Sequence, residues 1–316
     1  MRVWLANPRG FCAGVERAIG TVEHALERHG APVYVRHAIV HNERVVAELA
    51  SKGAVFVQDV DEIPPGALTV YSAHGVPRHV ERAAARRRLD VVDATCPLVA
   101  KVHRAARRLA ADGCEVIVVG HAGHPEVVGT AGQVSAPVHV VATAAQVDAI
   151  RVADPQRVGY VTQTTLAVDE TRTIVAALER RFPAIRGGDM RDICYASQNR
   201  QAAARELAAR CGLVVVLGSP RSSNAARLRE VVMRAGTLAL QVGDASELVR
   251  EWFAGVDDVG ITAGASTPES VVAGAVDRLQ HWFACSVHEV PGRAEDVVLP
   301  LPARFATRSA APQVSA

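Results

Sequence analysis

Lysine is nearly missing from this 316-residue chain: Lys52 and Lys101 are the only two, and arginine supplies the rest of its 35 basic residues. Against 33 acidic residues the net charge is only +2, too small for a protein held to nucleic acid mainly through phosphates. No apolar run is long enough to span a bilayer, and the opening MRVWLANPRGF has no signal-peptide core. A cytoplasmic protein with no membrane partner is therefore expected. There is no CxxC pair, and Cys12, Cys96, Cys114, Cys194, Cys211 and Cys285 are too scattered for a zinc finger. In a reducing compartment they are not expected to form disulfides. No G-x-G-x-x-G lies between a strand and a helix, so the chain has no nicotinamide or flavin fingerprint. What it does have is apolar bulk: 49% of its residues, enough for a proper interior and two or three compact domains.

That bulk is patterned. Val/Ile/Leu-rich runs predict strands at 3–8, 33–39, 68–73, 89–94, 115–119, 158–162, 213–218, 237–242 and 258–263. Between them apolar residues recur at helical spacing, as in Val15, Ile19, Val22 and Leu26, or Leu98, Val102, Ala106 and Leu109. Strands alternating with amphipathic helices predict an α/β fold with mostly parallel sheets.

Three stretches repeat one plan: Phe11 to Asn42, Thr95 to Glu126, and Ile193 to Asn224. Each runs from a strand end through a cysteine, a helix bearing arginines, a glycine and an apolar strand into a polar loop. Cys12 precedes His41 by 29 residues, Cys96 precedes His124 by 28, and Cys194 precedes Ser222 by 28. Later in each copy come YSAHGVP with His74, VTQTTL with Thr164, and ITAGAST with Ser266. The copies predict three α/β repeats, at 1–93, 94–191 and 192–284, with an extension over 285–316 and a disordered tail from about residue 300.

In parallel α/β sheets, ligands collect beyond the carboxyl ends of the strands. Three units packed about a pseudo-threefold axis would bring Cys12, Cys96 and Cys194 to one cavity, each at a helix N-terminus whose dipole favours a thiolate. Pro97 suits a first helical turn. Cys114 and Cys211 fall where a helix turns into a strand, and Cys285 lies past the third copy, so these three are read as packing residues. Three thiolates without an evident fourth partner suggest an iron–sulfur cluster with one iron open to substrate. A zinc site of three cysteines and one histidine is the alternative.

His41, His74 and His124 stand at corresponding loop ends, where the third copy has Ser222, Ser223, Asn224 and Ser266. Together they make a small anion pocket suited to a diphosphate. Each histidine taken singly reads as an ordinary core or surface residue; the correspondence is what argues otherwise. Glu126, in GHPEV, becomes a general acid if it is buried, or else is a helix-start glutamate stabilised by the dipole. Thr164 relays a proton, holds the substrate hydroxyl, or is a turn hydroxyl. Asn42 and Ser197 carry the same ambiguity.

These residues resemble the 4-hydroxy-3-methylbut-2-enyl diphosphate reductase family, which acts last in the non-mevalonate isoprenoid pathway. The matching motifs are GFCAGVERAI, IVHN, SAHGV, DATCPLV, GHPEV, TQTT, CYASQNRQ, SSN and TAGAS, in order from about residue 2 to 300. Ser197 stands where many members carry threonine. The resemblance implies a trefoil of three α/β units around a 4Fe–4S cluster, with Cys12, Cys96 and Cys194 each holding an iron and the fourth iron taking the C4 hydroxyl. It implies that the three histidines, Ser222, Ser223, Asn224 and Ser266 bind the diphosphate, that Glu126 supplies protons, and that Thr164 assists. A ferredoxin or flavodoxin type of protein would deliver the electrons. Arginine-rich faces suit such docking, and equally suit ordinary solvation. Two other readings remain open on residues alone: a three-cysteine cluster enzyme resembling quinolinate synthase, which needs cationic carboxylate binders, and a non-enzymatic cluster sensor, which needs no proton donor.

Overall fold

The computed structural model describes residues 1–188 and 192–305. Its strands are β1 (Arg2–Leu5), β2 (Val33–Arg36), β3 (Ala54–Val57), β4 (Leu68–Tyr71), β5 (Asp90–Asp93), β6 (Glu115–Val119), β7 (Val138–Val141), β8 (Val158–Thr162), β9 (Arg186–Gly187), β10 (Leu213–Leu217), β11 (Leu238–Val242), β12 (Asp258–Ala263) and β13 (Ser286–Glu289). The helices are α1 (Ala13–His29), α2 (Glu43–Ser51), α3 (Arg78–Arg86), α4 (Pro97–Ala111), α5 (Pro125–Gly132), α6 (Ala144–Val147), α7 (Val168–Arg181), α8 (Tyr195–Arg210), α9 (Ser223–Arg234) and α10 (Glu269–Trp282). No helix among the described residues is long and apolar enough to cross a membrane.

The strands form three parallel sheets, ordered β3-β2-β4-β5, β7-β6-β8-β9 and β11-β10-β12-β1-β13. The apolar runs explain why. Along β10, Leu213, Val215 and Leu217 enter one core, shared with Val271 and Leu279 of α10, while Val214 and Val216 enter another, shared with Leu207 of α8 and Leu228 of α9. β6 divides likewise: Ile117 and Val119 face one way, Val116 and Val118 the other. A strand apolar on both faces needs helices on both sides, which is the α/β sandwich. The fold class is as expected, and the strand–helix alternation carries it.

Two boundaries differ from the sequence reading. Residues 2–5, assigned above to the first repeat, pair in β1 with β12 and β13 of the third sheet. β5 and β9 close the first and second sheets beside β4 and β8, and β1 takes the same place beside β12. The chain's first strand thus completes its last sheet, a long-range pairing that local periodicity does not report. The extension is the second difference. β13 adds an edge to that sheet, and the chain then crosses to the first unit, where Leu301 packs on the core and Phe305 is buried with it. Arg304 pairs with Asp90. The expected tail is therefore packed as far as residue 305, its anchors being too widely spaced to read as a periodic element; residues 306–316 lie outside the described range.

Candidate active site

All three sheets point their carboxyl ends at one shared cavity. Cys12, Cys96 and Cys194 line it, each the N-cap of the helix that follows: α1, α4 and α8. Their backbones are pinned alike. The N–H of Cys12 donates to the carbonyl of Ala265 (3.2 Å), that of Cys96 to Ala73 (3.0 Å), and that of Cys194 to Thr164 (3.0 Å). In each case the acceptor follows the strand that precedes the cysteine's own in sheet order: β12, β4 or β8. Sulfurs far apart in sequence therefore share one enclosure because three sheets end there.

At two of the three positions burial works against the expected thiolate. Burial pushes Cys96 up to about 11, against the N–H groups of Leu98 and Val99, and pushes Cys194 up to about 12. The helix termini do face these sulfurs, but desolvation of a buried charge outweighs them. Gly14 is needed where two sulfurs approach the chain: a Cβ there would stand 2.8 Å from Cys96 Sγ and 3.7 Å from Cys12 Sγ. Among the described residues, no three His, Cys, Asp or Glu side chains converge closely enough to hold a single metal ion. Cys114 and Cys211 are buried at strand starts, and Cys285 packs against the third unit.

The histidines come from two sheets yet meet: His41 and His74 follow β2 and β4 of the first, and His124 follows β6 of the second. Ring centroids lie 4.2 Å apart for His41 and His74, 5.2 Å for His41 and His124, and 5.8 Å for His74 and His124. Burial holds all three below the usual histidine range, with neighbouring imidazoles adding to the effect: His124 falls to about 3 and His74 well below 6.5. His124 Nδ1 accepts the Glu126 N–H at 3.2 Å, so the neutral ring carries its proton on Nε2. That Nε2, like His41 Nε2, is buried without a protein partner. Buried polar atoms are normally satisfied, so two orphans in one cavity mark where a ligand's acceptors belong.

Ser222, Ser223, Asn224 and Ser266 complete the wall. Ser222 caps α9 through the N–H of Ala225 (3.3 Å), and Ser266 Oγ donates to the His41 carbonyl (3.0 Å). Asn224 accepts the Ala265 N–H (2.9 Å) and donates to Ser197 Oγ (3.2 Å), which in turn takes the Cys194 thiol proton (3.2 Å). Ser197 therefore belongs to the site. Asn42 does not line the cavity; it caps α2 through the Val45 N–H at 3.1 Å.

Glu126 is 2% exposed. The Thr164 N–H (2.7 Å) and hydroxyl (3.0 Å) donate to its two oxygens. Burial nevertheless raises it to about 7, against those hydrogen bonds and with help from the charge of Asp192. A carboxyl poised there can give and regain a proton near neutrality. Apart from Asn42, every site residue expected from the sequence lines this one cavity. Gln163 was missed: its amide accepts the His121 N–H (3.1 Å) and donates to Thr165 Oγ1 (3.0 Å) and Ser223 Oγ (3.2 Å), so it orients the serine. It stands in TQTT beside Thr164, but a glutamine in a polar loop carries no signal of its own.

A family model described as LytB protein matches residues 3–280. The chain belongs to the LytB protein family. A LytB relative, the 4-hydroxy-3-methylbut-2-enyl diphosphate reductase of Chromobacterium violaceum, is 53% identical over 300 residues, covering 95% of this chain and 96% of its own. The solved E-1-hydroxy-2-methyl-but-2-enyl-4-diphosphate reductase of Plasmodium falciparum superposes with TM-score 0.91 at 35% identity, covering 96% of each chain. A second structure, of an enzyme described as terminal in the non-mevalonate pathway, gives TM-score 0.62 at 32% identity, over 89% of this chain and all of that one. LytB membership implies an iron–sulfur cofactor.

Proposed function

We propose that this chain reduces 4-hydroxy-3-methylbut-2-enyl diphosphate, using two electrons and two protons to remove the C4 hydroxyl as water and give isopentenyl and dimethylallyl diphosphate. The observation that carries this reading is one cavity holding three thiols, three imidazoles and a protonatable carboxyl. The thiols suit a 4Fe–4S cluster better than zinc, since among the described residues no three ligands gather around one point, whereas a polynuclear centre bridges separated sulfurs. Cys12, Cys96 and Cys194 would each hold an iron. When bound, the cluster supplies the electrons and, through the iron without a cysteine, Lewis acidity toward the substrate hydroxyl.

The chain's own residues do the rest. His41, His74 and His124 present ring N–H groups to the diphosphate, beside Ser222, Ser223, Asn224 and Ser266. This pocket recognises an anion without an arginine clamp. Glu126 holds the proton that leaves with the hydroxyl, and Thr164 keeps that carboxyl oriented through its two donors. The enclosure limits water around a reaction that would otherwise leak protons. Electrons come from a separate ferredoxin or flavodoxin type of protein. The cytoplasm suits an enzyme whose ligating thiols must stay reduced.

The test is anaerobic purification with iron and sulfide analysis of wild type and each Cys→Ser variant. Substitution at Cys12, Cys96 or Cys194 should strip the cluster and turnover of the allylic diphosphate; substitution at Cys114, Cys211 or Cys285 should spare both. Zinc-loaded, colourless wild-type protein would overturn the cofactor, and a loaded enzyme inert toward the allylic diphosphate would overturn the reaction.

A further inference from the structure

Each cysteine-capped helix carries a cation five or six residues past its cysteine, and each cation reaches the turn that bears the next cysteine. On α1, five residues after Cys12, Arg17 Nη1 donates to the carbonyls of Ala94 (3.1 Å) and Thr95 (3.0 Å), the two residues just before Cys96. On α4, five residues after Cys96, Lys101 Nζ lies 3.6 Å from the carboxylate of Asp192, two residues before Cys194. On α8, six residues after Cys194, Arg200 donates from Nε to Gly10 O and from Nη2 to Phe11 O, each at 2.9 Å, the two residues just before Cys12. The links run 12 to 96, 96 to 194 and 194 to 12. They close a triangle with a thiol at each corner.

The last link is possible only because β1 lies in the third sheet, which brings Gly10 and Phe11 to α8 across 190 residues of sequence. It is also the most deeply placed. Arg200 is 1% exposed, and a guanidinium that far from water needs a counter-charge. Glu295 of the C-terminal segment supplies it, accepting from Arg200 Nη1 at 3.0 and 3.1 Å and from Asn199 Nδ2 at 2.9 Å. The same segment reaches the first link, where Arg17 Nε donates to Pro300 O at 2.7 Å.

We propose that Arg17, Lys101 and Arg200 form a closed ring of positioning residues that sets the mutual spacing of the three cysteine turns, and that the C-terminal segment locks this ring through Glu295 and Pro300. A rigid inorganic centre tolerates little change in the separation of its ligands, and charged donors on backbone carbonyls make stronger links than neutral ones. In a cycle, displacing one turn strains two links. The proposal rests on the reading that the three thiols hold the cluster.

The reconstituted holoenzyme tests it with Arg17→Gln, Arg200→Lys and Glu295→Gln. Each should lose iron to a chelator about tenfold faster than wild type, as expected when a hydrogen bond to a charged group is lost. The electron paramagnetic resonance signal of the reduced cluster should shift, while the far-ultraviolet dichroism of the metal-free variant stays as in wild type. Arg17→Lys, which restores a cation, should recover part of the retention lost in Arg17→Gln. Wild type that binds no iron and sulfide sinks the cluster reading itself. A loaded wild type whose variants match it in release rate and spectrum overturns the ring alone. Should Arg200→Lys not fold, Arg17→Gln and Glu295→Gln still decide: cluster loss seen only together with loss of dichroism makes these residues general stabilisers and overturns the proposal.

Discussion

Glu126 and the three histidines are opposite outcomes of the same burial. Removing water raises the carboxyl to about 7 and holds the imidazoles below their usual range, so all four favour their uncharged forms. Isotope-edited infrared titration of the metal-free protein should find the Glu126 carboxyl half-ionised near pH 7. Thr164 donates two hydrogen bonds that favour the ionised form, one of them from its hydroxyl. Thr164→Val removes that one, so its midpoint should move higher; a lower midpoint would contradict the assignment. For the histidines the sign follows from their neutral resting state. An arriving diphosphate favours imidazolium, so binding should draw in protons and tighten as pH falls from 8 to 6. Calorimetry of inorganic diphosphate in two buffers of different ionisation enthalpy measures this. Net uptake should shrink in His124→Asn, and equal uptake in both proteins would refute it.

Helix starts are the working elements of the cavity. α1, α4 and α8 begin at the cysteines, α5 begins at His124 and α9 at Ser222. Each follows a strand of a parallel sheet, so the topology delivers every one of these starts to the same end of its unit. The cysteine spacing and the apolar periodicity made this legible. The C-terminal segment was not legible, because it has no period: it holds on through Val290, Glu295, Leu301 and Phe305, each in a different setting. Phe305 is 2% exposed, packed in the first unit's core and edge-on to His24 with centroids 5.4 Å apart. Phe305→Ala should cost about 3 kcal/mol, read as a lower denaturant midpoint with the slope unchanged. A change below about 0.5 kcal/mol, the size usual for surface sites, would show that the segment is not anchored.

Across the whole molecule, the three sheets act as a frame that brings remote thiols together before any metal arrives. Because Cys96 and Cys194 are held protonated by burial, inserting a cluster must expel their protons. Cluster insertion should therefore raise the melting temperature, since only the folded chain presents the full set of ligands. The gain should be larger at pH 8 than at pH 7. Anaerobic thermal unfolding of loaded and metal-free protein checks both statements, and a gain that shrinks with rising pH would contradict the buried-thiol account.

The amino-acid order alone specified three copies of one α/β unit and marked the cysteines, histidines, serines and carboxyl that recur at matching places within them. Local periodicity and repeat spacing are enough for that, because both are properties of neighbours in the chain. Three matters were left to the folded molecule: that β1 completes the last sheet, that burial opposes the thiolate at Cys96 and Cys194 although both lie at helix termini, and that Arg17, Lys101 and Arg200 join the cysteine turns in a cycle. Strand pairing, desolvation and contacts 190 residues apart depend on which surfaces exclude water together, and only the packed arrangement of all three units decides that.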